Sequence, residues 1–207
     1  MSDASAAAAL EAYLHETQGL DQEGVRARLQ RALSEGEVNP ETAFAFGLAY
    51  YHLGDLTSAE ACLRLSPREE AHHWLGFTLF DRGLYAQADS EFAWALEGLE
   101  LDAWCRAKIL ELRCCCKVRT TPADVSIDDF RKLKDVRDQL SDNDRPVPRE
   151  LADCLSGMAG CLSPEVLGFA AQAFDQEFRE WGLTVASDPR PSVDDSSSGR
   201  KLPIDEG

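Results

Sequence analysis

Residues 46–59, FGLAYYHLGDLTSA, decide the fold, because residues 75–88, LGFTLFDRGLYAQA, repeat their pattern. Phe46-Gly47, Tyr50, Gly54 and Ala59 in the first stretch are echoed by Leu75-Gly76, Leu79, Gly83 and Ala88 in the second. Each copy reads as two antiparallel helices that meet where a small residue lets their backbones approach. A hairpin of this kind cannot bury its apolar face alone, so it stacks on its neighbours, and the inner surface of such a stack is available to other chains. The expected fold class is all-α, a helical hairpin array with additional flanking helices.

Working outward, Asn39-Pro40-Glu41 reads as a cap followed by proline in a first turn, and Leu53-Gly54 as the stop of that helix. Thr57 with Glu60 can form a capping box for the partner helix. Ser66-Pro67-Arg68-Glu69 reads as another box that starts the second unit, whose partner helix, about 85 to 99, places Ala88, Phe92, Ala95 and Leu99 on one stripe. A third helical stretch opens near Leu101. Its apolar surface is broad, with Leu101, Trp104 and Leu112 on one side and Ala107, Leu110 and Cys114 on the next, which suits packing against more than one neighbour.

The flanks read as helical too. Helices are expected at 5 to 17 and at 21 to 33, then a charged helix capped by Ser126 and Asp129 through about Leu140, and two more at about 149 to 158 and 164 to 181. Residues 1–185 are thus expected to form one all-helical domain, with the clearest repeats at 40–98 and C-terminal helices at 126–181. From Ala186 onward Ser, Asp, Pro and Gly dominate, and 186–207 read as a disordered tail.

Composition narrows the function classes. A formal charge of −16 over 207 residues disfavours nucleic-acid binding, which needs clustered Lys and Arg; solubility alone accounts for such a charge, and a basic partner is the sharper, second-ranked reading. No apolar run approaches the length of a membrane span, so membrane insertion is not expected. Asp3 and Glu11 stand where an export signal wants basic or apolar residues, and the reading is cytoplasmic. Seven cysteines invite a metal or disulfide reading, but neighbours on a helix point about 100° apart, so Cys114, Cys115 and Cys116 cannot converge on one ion. Free, partly buried thiols in a reducing compartment are expected, with no metal and no cofactor. A redox role for the trio beside Lys117 and Arg119 is the competing reading.

The two units resemble tetratricopeptide repeats. Phe46-Gly47-Tyr50 and Leu75-Gly76-Leu79 match that family's first helix with one substitution each, and Ala59, Ala88, Phe92 and Ala95 match its second. Gly76 follows Gly47 sooner than the family's period of about 34 residues would place it, so unit one must be shortened. The large residue expected near the start of each unit is replaced by Ala43 and His72. The resemblance covers about residues 40 to 98. It implies that the first helices line a concave groove gripping a peptide or a partner's helix, at Phe44, Leu48, Tyr51 and His52 in unit one and at His73, Phe77, Phe80 and Asp81 in unit two. The alternative for the aromatics is packing against the terminal helices.

The functional expectation is therefore a protein-interaction adaptor or small chaperone whose partner, a protein or peptide, is basic and apolar in character. A structural subunit of a larger complex is the second reading. An enzyme ranks below both. His15, His52, His72 and His73 form no His-Glu-x-x-His motif, and no phosphate-cradling loop or nucleophile elbow accompanies them. Paired acids such as Asp128-Asp129 and Glu69-Glu70 sit at helix starts, where they favour the helix dipole without any chemistry.

Overall fold

Asn39 caps a single turn ahead of the repeat region, and regular helix starts only at Ala43 with Thr42 at its N-cap, later than the sequence predicts. The Asn39 side chain accepts from the N–H groups of Glu41 (2.9 Å) and Thr42 (3.2 Å), and its carbonyl from Ala43 (2.8 Å), satisfying donors that a helix start leaves orphaned. The structure, a computed structural model, describes residues 22–36, 38–141 and 144–180. The helix expected at 5 to 17 and the tail expected at 186–207 lie outside the described residues. Among those described, ten α-helices follow one another with two short 3-10 turns and no strand. They are α1 (Gln22–Ser34), α2 (Ala43–His52), α3 (Leu56–Leu65), α4 (Ala71–Asp81), α5 (Tyr85–Gly98), α6 (Ala103–Thr120), α7 (Ile127–Arg137), α8 (Arg149–Met158), α9 (Pro164–Ala173) and α10 (Asp175–Glu180). None is long and apolar enough to cross a membrane.

The hairpins are α2 with α3 and α4 with α5, and the stack continues as α3 packs on α4 and α5 on α6. Glycine makes both hairpins close. A methyl group on Gly47 would sit 2.7 Å from Leu63 Cγ, and one on Gly76 would sit 2.5 Å from Phe92 Cε1, inside any real carbon contact. Leu63 and Phe92 are buried and hold equivalent places, since Gly47 to Gly76 and Leu63 to Phe92 are the same offset of 29 residues. The turns repeat as well. Gly54 (φ 75°) and Gly83 (φ 76°) adopt the left-handed conformation that ends α2 and α4. The next residues then bond back across the last turn, Asp55 N–H to the Tyr50 carbonyl at 3.0 Å and Leu84 N–H to the Leu79 carbonyl at 2.9 Å.

Three further local expectations are corrected. Asp55, and not Thr57, caps α3: it accepts from Ser58 N–H at 3.1 Å and from the Ser58 hydroxyl at 2.8 Å, being the first side chain after the Gly54 reversal. Glu60 is drawn instead to Arg64 and Arg82. The second unit does not begin at Ser66. Its hydroxyl accepts from Arg68 N–H two residues on (3.2 Å), a local turn that competes with a helix start, and regular helix begins only at Ala71. The single helix expected at 164 to 181 is two, α9 and α10, broken where Phe174 leaves helical backbone (φ −114°, ψ 9°). Both Phe174 and Phe178 are buried there, their rings 6.0 Å apart.

Other expectations hold. Ser126 and Asp129 form the capping box of α7, and the Ser163 hydroxyl accepts from Val166 N–H at 3.3 Å ahead of Pro164. The broad apolar surface of α6 packs against α5, α7 and α8 at once, except for Trp104, which stays exposed. Two clusters make the core. A smaller one joins Leu29 and Ala32 of α1 to Phe46, Tyr50, Ala59 and Cys62; a larger one runs from Leu63 through α4–α6 to Phe178.

Candidate functional site

Trp74, on α4, is the hub of an aromatic face shared by the first helices of the two units. Its ring meets Tyr51 (5.5 Å, 68°) and His52 (5.8 Å, 68°) at the end of α2, and Phe77 (5.7 Å, 72°) on its own helix. His73 lies 5.4 Å away, and Phe77 meets Phe92 of α5 edge-on at 5.5 Å. Edge-to-face contact lets the positive rim of one ring meet the negative face of another. Trp74, Phe77 and Asp81 fall three and four residues apart, on one stripe of the helix.

A polar border closes one side of this face. The Tyr51 hydroxyl donates to Asp81 at 3.0 Å, tying α2 to α4. Lys108 of α6 donates to Glu150 of α8 at 2.7 Å. Burial pushes the Asp81 carboxyl above its ordinary range, with Glu150 adding to the push. Burial also raises the Tyr51 phenol, and the neighbouring Asp81 charge raises it further. His73 moves the other way, burial lowering its pKa, and its Nδ1 is buried with no hydrogen-bond partner among the described residues. Trp104, 46% exposed, lies one turn before Lys108 on α6.

Of the positions expected to line a groove, Tyr51, His52, His73, Phe77 and Asp81 come together here. Leu48, half-buried, lies one turn earlier on α2. Phe44 sits apart, its ring under the Arg68 guanidinium at 5.0 Å. Phe80 is not on the face. It is only 8% exposed, packed edge-on against Tyr85 at 5.4 Å with Arg119 over it. Trp74, which carrying over the repeat register passes by, takes the central place. The helical spacing of Trp74, Phe77 and Asp81 was the signal that could have found it.

The two adjacent histidines part company, as their positions on a helix require. His72 stacks on Trp94 of α5 (3.8 Å, 29°), with its Nδ1 2.7 Å from Glu91. With Arg64, Ser66 and Leu75 it lines a hollow of about 190 Å³ on the other side of α4.

The cysteine trio splays in the same way. Cys114 reaches the Asp129 carbonyl of α7 (3.7 Å), Cys115 faces Cys154 of α8, and Cys116 lies near Asp89 of α5. All seven cysteines are free, and five of them are buried. Among the described residues no group of three or more His, Cys, Asp or Glu is placed to hold a metal ion. No family model, curated protein or solved structure matches this chain, so what stands is an all-α array of stacked helix pairs without a family assignment.

Proposed function

We propose that the face centred on Trp74 binds a segment of another protein, and that the chain acts as an adaptor or small chaperone. The observation that carries this reading is the Tyr51–Trp74–Phe77 path, three part-exposed rings already held edge-on by one another. Rings fixed before binding lose little rotamer freedom on contact, which is why Trp and Tyr dominate binding energy at interfaces. Asp81 and Glu150 at the border, in a chain of charge −16, favour a segment that carries a basic residue beside its apolar ones.

The test compares faces. Full-length protein is purified under mild conditions and bound chains are identified by mass spectrometry, for the wild type, for Tyr51→Ala with Trp74→Ala, and for Trp94→Ala on the other side of α4. Loss of bound chains in the double variant alone, with helical content unchanged, supports the reading. Equal capture by wild type and double variant overturns it. Exposed Leu65 (46%) and Trp94 (38%), both on the second helices of the units, favour the other reading, a permanent subunit of a larger complex. Loss in Trp94→Ala alone selects that reading.

A further inference from the structure

One carboxylate at the border of the aromatic face lacks a cation. Asp81 is exposed and accepts from the Tyr51 hydroxyl, but it makes no ion pair among the described residues. Glu150, by contrast, is held by Lys108. The chain comes close to this border where it leaves the described residues. Glu177 of α10 accepts from Arg137 of α7 at 2.8 Å, and Arg137 lies 3.9 Å from Glu111 of α6. Lys108, 3.5 Å from Glu111, reaches Glu150 at 2.7 Å. This relay of short steps puts α10, which ends at Glu180, within a few side chains of the face.

Past Glu180 the sequence runs on for 27 residues. Within them 199–204, GRKLPI, set two adjacent cations, Arg200 and Lys201, beside Leu202 and Ile204. Arg190 is the one other cation of those 27, against five acids, so basic and apolar character coincide at 199–204. The nineteen residues 181–199 span up to about 60 Å when extended, more than the roughly 40 Å breadth of a compact domain of this size. Reach does not limit contact.

We propose, resting on the partner-binding role given to the face above, that segment 199–204 of the same chain docks there and must be displaced by a partner. Leu202 and Ile204 pack on Trp74 and Phe77, and Lys201 faces Asp81, the carboxylate without a cation. Pro203 fixes its own φ and disfavours helical backbone at Leu202. An extended docked segment then presents Leu202 and Ile204, two residues apart, on one side. Tethering makes weak contacts sufficient. At an effective concentration of about 1 mM, a contact with a Kd of about 0.1 mM keeps the face about nine-tenths covered and weakens a competitor about tenfold.

Cross-linking reads the contact. Full-length protein at low micromolar concentration, an equal mixture of light and heavy-isotope chains, is treated with a water-soluble carbodiimide that joins an amine to a carboxylate touching it. Linked peptides are mapped by mass spectrometry. The expected result is a Lys201–Asp81 or Lys201–Glu150 bond within single chains. Bonds joining light to heavy chains mean that a second copy supplies the segment and overturn the proposal. So do bonds from Lys201 confined to other acids, or none at all.

A fluorescein-labelled peptide of residues 196–207 reads the consequence, titrated with full-length wild type, with Arg200→Glu plus Lys201→Glu, and with Tyr51→Ala plus Trp74→Ala. The charge variant should bind the peptide about tenfold more tightly than wild type, and the ring variant should not bind it. Equal binding by wild type and charge variant, or no binding by the charge variant, overturns the proposal. If the ring variant fails to fold, the cross-link and the charge variant still decide. A partner captured by wild type and lost from the ring variant, with no Lys201 bond to the face, leaves the partner-binding role standing and removes only the internal contact. Lys201 bonds to the face with no partner captured even by the charge variant do the reverse.

Discussion

The two halves of this molecule hold their helices together by different means. In the repeat half, α2 to α5, glycine does it: Gly47 and Gly76 leave room for Leu63 and Phe92, and the contacts are apolar and periodic. In the C-terminal half, α6 to α10, buried charge is added to the apolar core. Arg137, fully buried, donates to Glu177 at 2.8 Å and to the Pro146 carbonyl at 2.6 Å, binding α7 to α10 and to the segment before α8. Glu111, also fully buried, accepts from Leu151 N–H at 3.4 Å in the first turn of α8, and lies 3.5 Å from Lys108 and 3.9 Å from Arg137. A glycine contact fails by a small steric increment. A buried ion fails outright when its partner is removed.

The sharpest way to break the contrast is Arg137→Ala. It takes the guanidinium from buried Glu177 and Glu111, leaving only Arg145 3.8 Å from Glu177 and Lys108 3.5 Å from Glu111, and about 3–5 kcal/mol of stability should be lost in urea unfolding. Arg137→Met with Glu177→Leu, which removes the charged pair together, should cost clearly less. Equal loss in both would mean that packing, and not charge, holds the C-terminal half.

Next is the pH dependence of Glu111. Burial raises its pKa to about 7, against the attraction of Lys108 and Arg137. The folded state then holds a proton that the unfolded chain releases from about pH 4.5, so this group's contribution is favourable at low pH and is lost as pH rises towards 7 and beyond. The difference is about 3 kcal/mol across that window. Glu111→Gln should be more stable than wild type at pH 8 and equal to it near pH 5. An unchanged pH profile in the glutamine variant would assign the slope elsewhere.

The repeat half should respond more mildly. Gly76→Ala should cost about 2 kcal/mol, because the Phe92 ring is sealed in the core and cannot retreat. Gly47→Ala should cost about 1 kcal/mol, since the Leu63 side chain, though buried, is smaller than a ring and alanine favours the helix. Reversal of that order in thermal unfolding would show that the second hairpin is the looser one. Asp55→Ala, which removes a single cap, should cost about 1 kcal/mol.

Legibility in the sequence followed the range of each interaction and not the division into halves. The Phe-Gly and Leu-Gly pairs, the glycine stops and the Ser126 and Ser163 caps were readable because each depends on residues within a few positions. The misreadings were local competitions that only backbone geometry settles: Asp55 over Thr57, a Ser66 turn in place of a helix start, and a break at Phe174. At the aromatic face, five of the eight expected positions converge around Trp74, while Phe80 turns into the core under Tyr85 and Arg119.

By itself the sequence determined the helical class, the two glycine-centred hairpins and the divergence of neighbouring side chains at His72-His73 and Cys114 to Cys116, since helical period and the absent Cβ act at short range. Only the tertiary structure decided that Arg137 meets Glu177, that Glu111 meets the start of α8, and that Cys115 meets Cys154. Those partners lie 39 or 40 residues apart with no periodic pattern to announce them, and helix packing alone brings them into contact.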